Sequence, residues 1–226
     1  MISRRESWEK EYGEIRGIHS TYTESEAACF PFFRKVLIED GFGFNGSLLD
    51  VGCGRGRNSY SFLETGMTVV GCDFSRQALL EFRTGAESRG YRDQVSLILC
   101  DMENPLPLRE GGFDVIMNIT SLDNIIERDI LKRYASGIVR FLRRGGYHLL
   151  YAFLRQDGYY GPLLEEEGYV ATDPAAGMSV ALYEPEELKE LFSPLVTISE
   201  RTFEFQGPMH GKQYMRKLIA MVMKRE

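Results

Sequence analysis

Between Leu48 and Ser59 the chain reads LLDVGCGRGRNS, an apolar run that ends in three glycines spaced two apart, Gly52, Gly54 and Gly56. A buried strand that runs into such a loop and then into a helix lets the backbone turn sharply and approach a ligand where side chains would clash. The N-terminus of that helix offers free N–H groups to an acidic group. Nineteen residues beyond Gly54, Asp73 closes the apolar run TVVGCD. From the end of a second strand, a carboxylate accepts hydrogen bonds from both hydroxyls of a ribose. The chemistry these residues suit is the grip on a cofactor that carries a ribose and an acidic group.

The elements that must position them alternate in type. SLLDVG, TVVGCD, VSLILCD, FDVIMNIT and YHLLYAF read as buried strands. Between them NSYSFLET, SRQALLEFRTGAESRG and RDILKRYASGIVRFLRRG read as helices. Repeated strand–helix alternation with continuous apolar strands predicts a parallel sheet covered on both faces. Ahead of it, TESEAACFPFFRKVLIEDG predicts an opening helix capped by Thr23, kinked at Pro31 and stopped at Gly41. Beyond residue 154 the pattern changes. Residues 155–182 carry Gly, Pro, acidic residues and Tyr without a clear period, an excursion from the sheet. EPEELKELF then predicts a short helix, and LVTISERTFEF and YMRKLIAMVMK two strands joined by the loop QGPMHGKQ. The predicted fold is α/β: a doubly wound, seven-stranded, mostly parallel sheet ending in an antiparallel hairpin. It divides into a helical lid segment over 1–44 and one Rossmann-like domain over 45–226, with an insertion at about 155–182.

A dinucleotide fingerprint, G-x-G-x-x-G, would need its last glycine at position 57, where Arg57 stands. The pattern present, with Asp50, Gly52, Gly54 and Gly56, resembles the (D/E)-x-G-x-G-x-G motif of the class I (Rossmann-like) S-adenosylmethionine-dependent methyltransferases. The sequence ILCDMENPLPLREGGFDVIMNITSL adds an acid after the third strand and the family's approach to the fourth. The resemblance runs from about Asn45 to the C-terminus. It implies S-adenosylmethionine as cofactor and S-adenosylhomocysteine as product. It also assigns the cofactor-binding positions: Asp50 and the three glycines, Asp73 with Phe74, Asp101 with Met102, and Asn118. A nicotinamide-dependent oxidoreductase and a non-catalytic S-adenosylmethionine-binding protein are the alternatives.

With 226 residues, 43% hydrophobic and 27% charged, the chain has the composition of a globular domain large enough to bury a core without staples. A net charge of −6 argues against a protein that holds nucleic acid by neutralising phosphates. The expected acceptor is therefore a small molecule and not nucleic acid. No stretch reaches the roughly 20 apolar residues of a membrane span, and MISRRESWEKEYGE is too polar for a signal peptide, so a cytoplasmic protein without a membrane partner is expected. Cys29, Cys53, Cys72 and Cys100 form no C-x-x-C pair; no metal is expected, and three of them end strands where they would line a ligand slot.

Methyl transfer from a sulfonium is an in-line displacement, so the protein mainly aligns a nucleophile and excludes water. The acceptor site must come from loops over the ligand edge. These bring Trp8, Tyr12 and His19, then Thr120, Ser121 and Asp123, then Tyr159 and Tyr160, and finally His210. Trp8 and Tyr12, four apart on a helix, form one aromatic face. His148 alternates inside a strand and reads as packed. His210, in a tight loop at the carboxyl edge, is the candidate base.

Overall fold

The computed structural model describes Glu6, Trp8, Glu9, Tyr12, and residues 25–165 and 168–226. His19 and the Thr23 cap lie outside the described residues. The chain order is α1 (Phe30–Glu39), β1 (Ser47–Val51), α2 (Tyr60–Leu63), β2 (Thr68–Asp73), α3 (Arg76–Ser88), β3 (Val95–Leu99), β4 (Phe113–Ile119), α4 (Arg128–Phe141), β5 (Leu142–Phe153), β6 (Val170–Thr172), β7 (Ser179–Ala181), α5 (Pro185–Leu191), β8 (Val196–Met209) and β9 (Lys212–Lys224).

Seven strands make one sheet in the order β3-β2-β1-β4-β5-β9-β8. The first five are parallel, and β9 inserts antiparallel between β5 and β8. Strand order reverses between β1 and β4, which opens a crevice at their carboxyl ends. Alternation along each strand sends neighbours to opposite cores. Leu49 and Ile116 face the side covered by Leu131, Tyr134 and Ile138 of α4 and Leu188 of α5. Leu48 and Val115 face the side covered by Phe30 and Phe33 of α1 and Phe82 of α3. Each such fully buried side chain contributes roughly 1.5–3 kcal/mol from apolar area withdrawn from water.

The elements differ from the sequence reading at four places. The helix expected over NSYSFLET is one turn, because the glycine loop uses residues up to Ser59 for its own bends. Pro31 starts α1 rather than kinking it, and Glu26, ahead of the helix, pairs with Arg34. The excursion holds its own hairpin, β6 paired with β7. The final hairpin has a two-residue tip, since pairing continues to Met209↔Lys212 and only His210 and Gly211 turn, both with positive φ. Pro208 fits within β8 because that strand is at the sheet's edge. Among the described residues no helix is long and apolar enough to cross a membrane.

Candidate active site

The three glycines at the end of β1 are required by three different neighbours. All have positive φ, +73° at Gly52, +52° at Gly54 and +76° at Gly56. A Cβ on Gly52 would stand 2.5 Å from Cβ of Ser121, one on Gly54 would stand 2.9 Å from the Tyr12 hydroxyl, and one on Gly56 would enter the Phe82 ring at 2.2 Å. The loop is thus closed by the protein's own packing as much as by any ligand.

Asp73 braces this loop from the adjoining strand. Its Oδ2 accepts the Gly54 N–H at 2.9 Å and its Oδ1 the Ser75 N–H at 2.8 Å. Asp50, buried directly behind the loop, accepts the Ser59 hydroxyl at 2.7 Å. Burial pushes its carboxyl up to about 7; the Ser59 bond opposes that rise and the charge of Asp73 adds to it. Beside the loop, Cys53, Cys72, Phe74, Cys100 and Met102 line a slot of flat apolar and sulfur surface. The Cys72 thiol donates to Cys100, which raises the first and lowers the second.

The pocket continues past Ile119 to Thr120, Ser121 and Asn124. Thr120 has φ +51°, a left-handed conformation that costs a non-glycine residue stability and tends to persist where function demands it. Trp8 and Tyr12 stack at 5.9 Å over this end. The Trp8 Nε1–H donates to Asn124 Oδ1 at 3.0 Å, and the Arg55 guanidinium donates to the Tyr12 carbonyl at 3.3 Å while lying 5.1 Å from its ring. Among the described residues, the lining holds one carboxylate, Asp73, with Arg55 and Arg57, and no His, Lys or Glu.

The structure brings Gly52, Gly54, Asp73, Phe74 and Met102 to one pocket. Asp50, Gly56, Asp101 and Asn118 stand outside its lining. Asp101 accepts the Glu103 N–H at 3.1 Å. Asn118, fully buried, donates to Ser121 Oγ at 3.0 Å and to the Tyr134 hydroxyl at 2.7 Å, and so holds the Ser121 turn. His148 packs 4.4 Å from the Phe192 ring, and burial lowers it to about 3, so it is neutral. The expected base, His210, is not brought to the pocket. Its Nε2 lies 2.7 Å from Asp173 Oδ2, and its ring lies 5.7 Å from Tyr159. β8 and β9 carry it outward, since both strands run beyond the sheet's carboxyl edge before turning. Asn124 went unnoticed in the sequence because nothing local marks it; its partner Trp8 is 116 positions away.

Residues 48–146 match the methyltransferase domain family. The chain is 31% identical over 156 residues to human tRNA N(3)-cytidine methyltransferase METTL2B, covering 65% of this chain and 40% of that protein. It is 30% identical over 144 residues to the 18S rRNA (guanine-N(7))-methyltransferase bud23 of Schizosaccharomyces pombe, covering 60% and 49%. It therefore spans less than half the length of these relatives. Among solved structures, it resembles Burkholderia thailandensis 1,6-didemethyltoxoflavin-N1-methyltransferase, crystallised with S-adenosylhomocysteine, at a TM-score of 0.62 and 22% identity over 89% of this chain and 80% of that one. The tRNA and rRNA relatives overturn the expectation that nucleic acid is not a partner. Net charge is a sum over the whole chain and does not report on a pocket that reads a base.

Proposed function

With residues 48–146 forming a methyltransferase domain in a class I S-adenosylmethionine-dependent methyltransferase fold, we propose that this protein methylates a ring nitrogen of a planar heteroaromatic base, a base in RNA being the first candidate. Bound in the pocket, S-adenosylmethionine would supply a methyl group on a sulfonium. Asp73 is preorganised to receive ribose hydroxyls, since Gly54 and Ser75 already fix both of its oxygens. The slot at Phe74, Cys100 and Met102 suits the adenine ring. Trp8 and Tyr12 would roof the reacting end and keep water out.

The observation that carries the acceptor class is the nature of the lining. Its one carboxylate among the described residues is held by two backbone amides, which leaves it no part in removing a proton. An aliphatic alcohol or ammonium group must lose a proton to react, whereas a ring nitrogen attacks with a lone pair and needs only alignment. The names of the relatives support this reading, with N3 of cytidine, N7 of guanine and N1 of didemethyltoxoflavin as their methylated positions.

The test is methyl incorporation from labelled S-adenosylmethionine into unmodified tRNA, rRNA, nucleosides, alcohols and primary amines. Incorporation into heterocyclic nitrogen, located by mass spectrometry, is expected. Incorporation only into alcohols or amines would refute the acceptor class. S-adenosylhomocysteine should also raise the melting temperature where NAD does not, because a ligand that binds only the native state stabilises it by mass action.

A further inference from the structure

Among the described residues, three buried polar atoms have no hydrogen-bond partner: Asp123 Oδ2, the Tyr151 hydroxyl and Arg216 Nη2. Their residues are 1%, 4% and 7% exposed. A buried polar atom left unpaired costs stability, and each one in a folded protein calls for an explanation.

The three come from different elements. Asp123 lies in the turn after β4, between Ser121 and Asn124 of the pocket lining, and its other oxygen accepts the Phe153 N–H at 3.0 Å. Tyr151 on β5 is in register with Ile119, which also lines the pocket. Arg216 on β9 is fastened through Nε to Asp157 Oδ2 at 2.9 Å, with its guanidinium 4.8 Å from the Phe153 ring and 5.3 Å from the Tyr160 ring. Asp157 is fully engaged, since it also accepts the N–H groups of Tyr159, Tyr160 and Lys217. Gly207 makes room for this arginine; a Cβ there would stand 2.7 Å from Arg216 Cγ. Phe153 ties the three together: its N–H donates to Asp123, its ring lies against the Arg216 guanidinium, and it follows Tyr151 by two positions on the same face of β5.

We infer that Asp123, Tyr151 and Arg216 form the recognition site for the acceptor, and that it takes a nucleobase that presents both an N–H donor and a carbonyl oxygen on one edge. The inference rests on the methyl-transfer reading and names its substrate class more narrowly. Arg216 Nη2 donates to the carbonyl, Asp123 Oδ2 accepts the N–H, the Tyr151 hydroxyl meets a second polar atom, and Phe153 and Tyr160 supply apolar faces. In the transfer, the ring nitrogen's lone pair makes the N–C bond as the C–S bond breaks, with the bonding pair staying on sulfur and no proton lost. The base becomes a cation, and its N–H groups become better donors to a carboxylate as that charge develops. Burial lifts the Asp123 carboxyl to about 8, so the free site holds it protonated, and binding a base whose N–H points at Oδ2 releases that proton to solvent before transfer, leaving none to be taken from the reacting nitrogen. All three atoms are covered in this conformation, and the roof at Asn124, where Trp8 bonds, is the part adjoining Asp123 that must yield to admit a base.

The test uses the full chain saturated with S-adenosylhomocysteine and titrated with cytidine, guanosine and adenosine, read by calorimetry and ligand-observed NMR. Cytidine and guanosine carry both an N–H donor and a carbonyl on one edge, with N3 between them in cytidine; adenosine has no carbonyl. Tyr151→Phe removes only an unpaired hydroxyl, and Asp123→Asn keeps the acceptor for Phe153, so neither change should lower the melting temperature or weaken S-adenosylhomocysteine binding. Both should weaken cytidine or guanosine binding by at least tenfold, with adenosine remaining a non-binder. The inference is overturned if the wild-type complex binds neither cytidine nor guanosine, if the variants bind them as tightly as wild type, or if the variants simply melt earlier. A wild-type chain that fails to bind S-adenosylhomocysteine would sink the methyl-transfer reading, and this inference with it.

Discussion

At the ends of β1 and β2 the polar groups have counterparts within the protein: Asp73 takes the Gly54 and Ser75 amides, Asp50 takes Ser59, and Ser121 donates to the Val51 carbonyl at 2.7 Å. Further along the same edge, at the ends of β4, β5 and β9, Asp123, Tyr151 and Arg216 each bury an atom that nothing among the described residues answers. The first region is finished before a ligand arrives, as a cofactor common to many reactions allows. The second carries its unpaired groups at a cost to stability, which is what a region completed by its substrate must do.

The largest effect expected from this contrast is at glycines of equal conformation. Gly56 and Gly211 both have φ +76°, but a Cβ on Gly56 enters the Phe82 ring while one on Gly211 meets nothing within 4 Å. Gly56→Ala should lose roughly 2–5 kcal/mol from strain and overpacking together, and Gly211→Ala about 1 kcal/mol from backbone strain alone. Chemical denaturation measures both, and equal losses would break the contrast. Next, Asp73→Ala should weaken S-adenosylhomocysteine binding by about 1.5–3 kcal/mol with the sheet intact, the scale for losing a charged hydrogen-bond partner. Calorimetry that finds wild-type affinity would remove Asp73 from the cofactor's contacts.

Titration sharpens the comparison, because each region buries one carboxyl whose pKa is raised, Asp50 to about 7 and Asp123 to about 8. Both values lie above the unfolded value of 3.8, so the folded state holds these protons more tightly. The stability they contribute is complete below about pH 4 and is lost as pH rises through 7 to 8. Melting temperatures from pH 5 to 9 should fall less steeply in Asp50→Asn and in Asp123→Asn than in wild type. A slope unchanged in both variants would show that neither carboxyl titrates in that window.

The smallest effect on turnover is expected at His210. Burial alone would raise Asp173, but the bonds it accepts from His210, the Ala175 amide and other donors outweigh burial and hold it low. His210→Ala should therefore cost about 1.5–3 kcal/mol of local stability, the scale of a hydrogen bond to a charged group. Turnover on the acceptor should stay within twofold, whereas loss of a general base would lower it by roughly 10² or more. Steady-state rates across pH 6 to 9 decide between the two.

What the sequence determined by itself is the part set by short range: the alternation that makes a parallel sheet, the glycine loop after β1, and Asp73 at the end of β2. Strand period, backbone freedom at glycine and the length of one strand–helix unit are local properties, so the cofactor half was legible. The tertiary structure alone decided why each glycine is needed, since Ser121, Tyr12 and Phe82 reach them from distant parts of the chain. It also moved Asn118 from cofactor contact to support of the Ser121 turn, and carried His210 away from the pocket on two strands longer than their apolar pattern suggested. The pairs that build the second region are separated by 30 positions for Phe153 and Asp123 and by 59 for Arg216 and Asp157. No periodicity records such pairs, because they exist only once the sheet has closed and brought the ends of β4, β5 and β9 together.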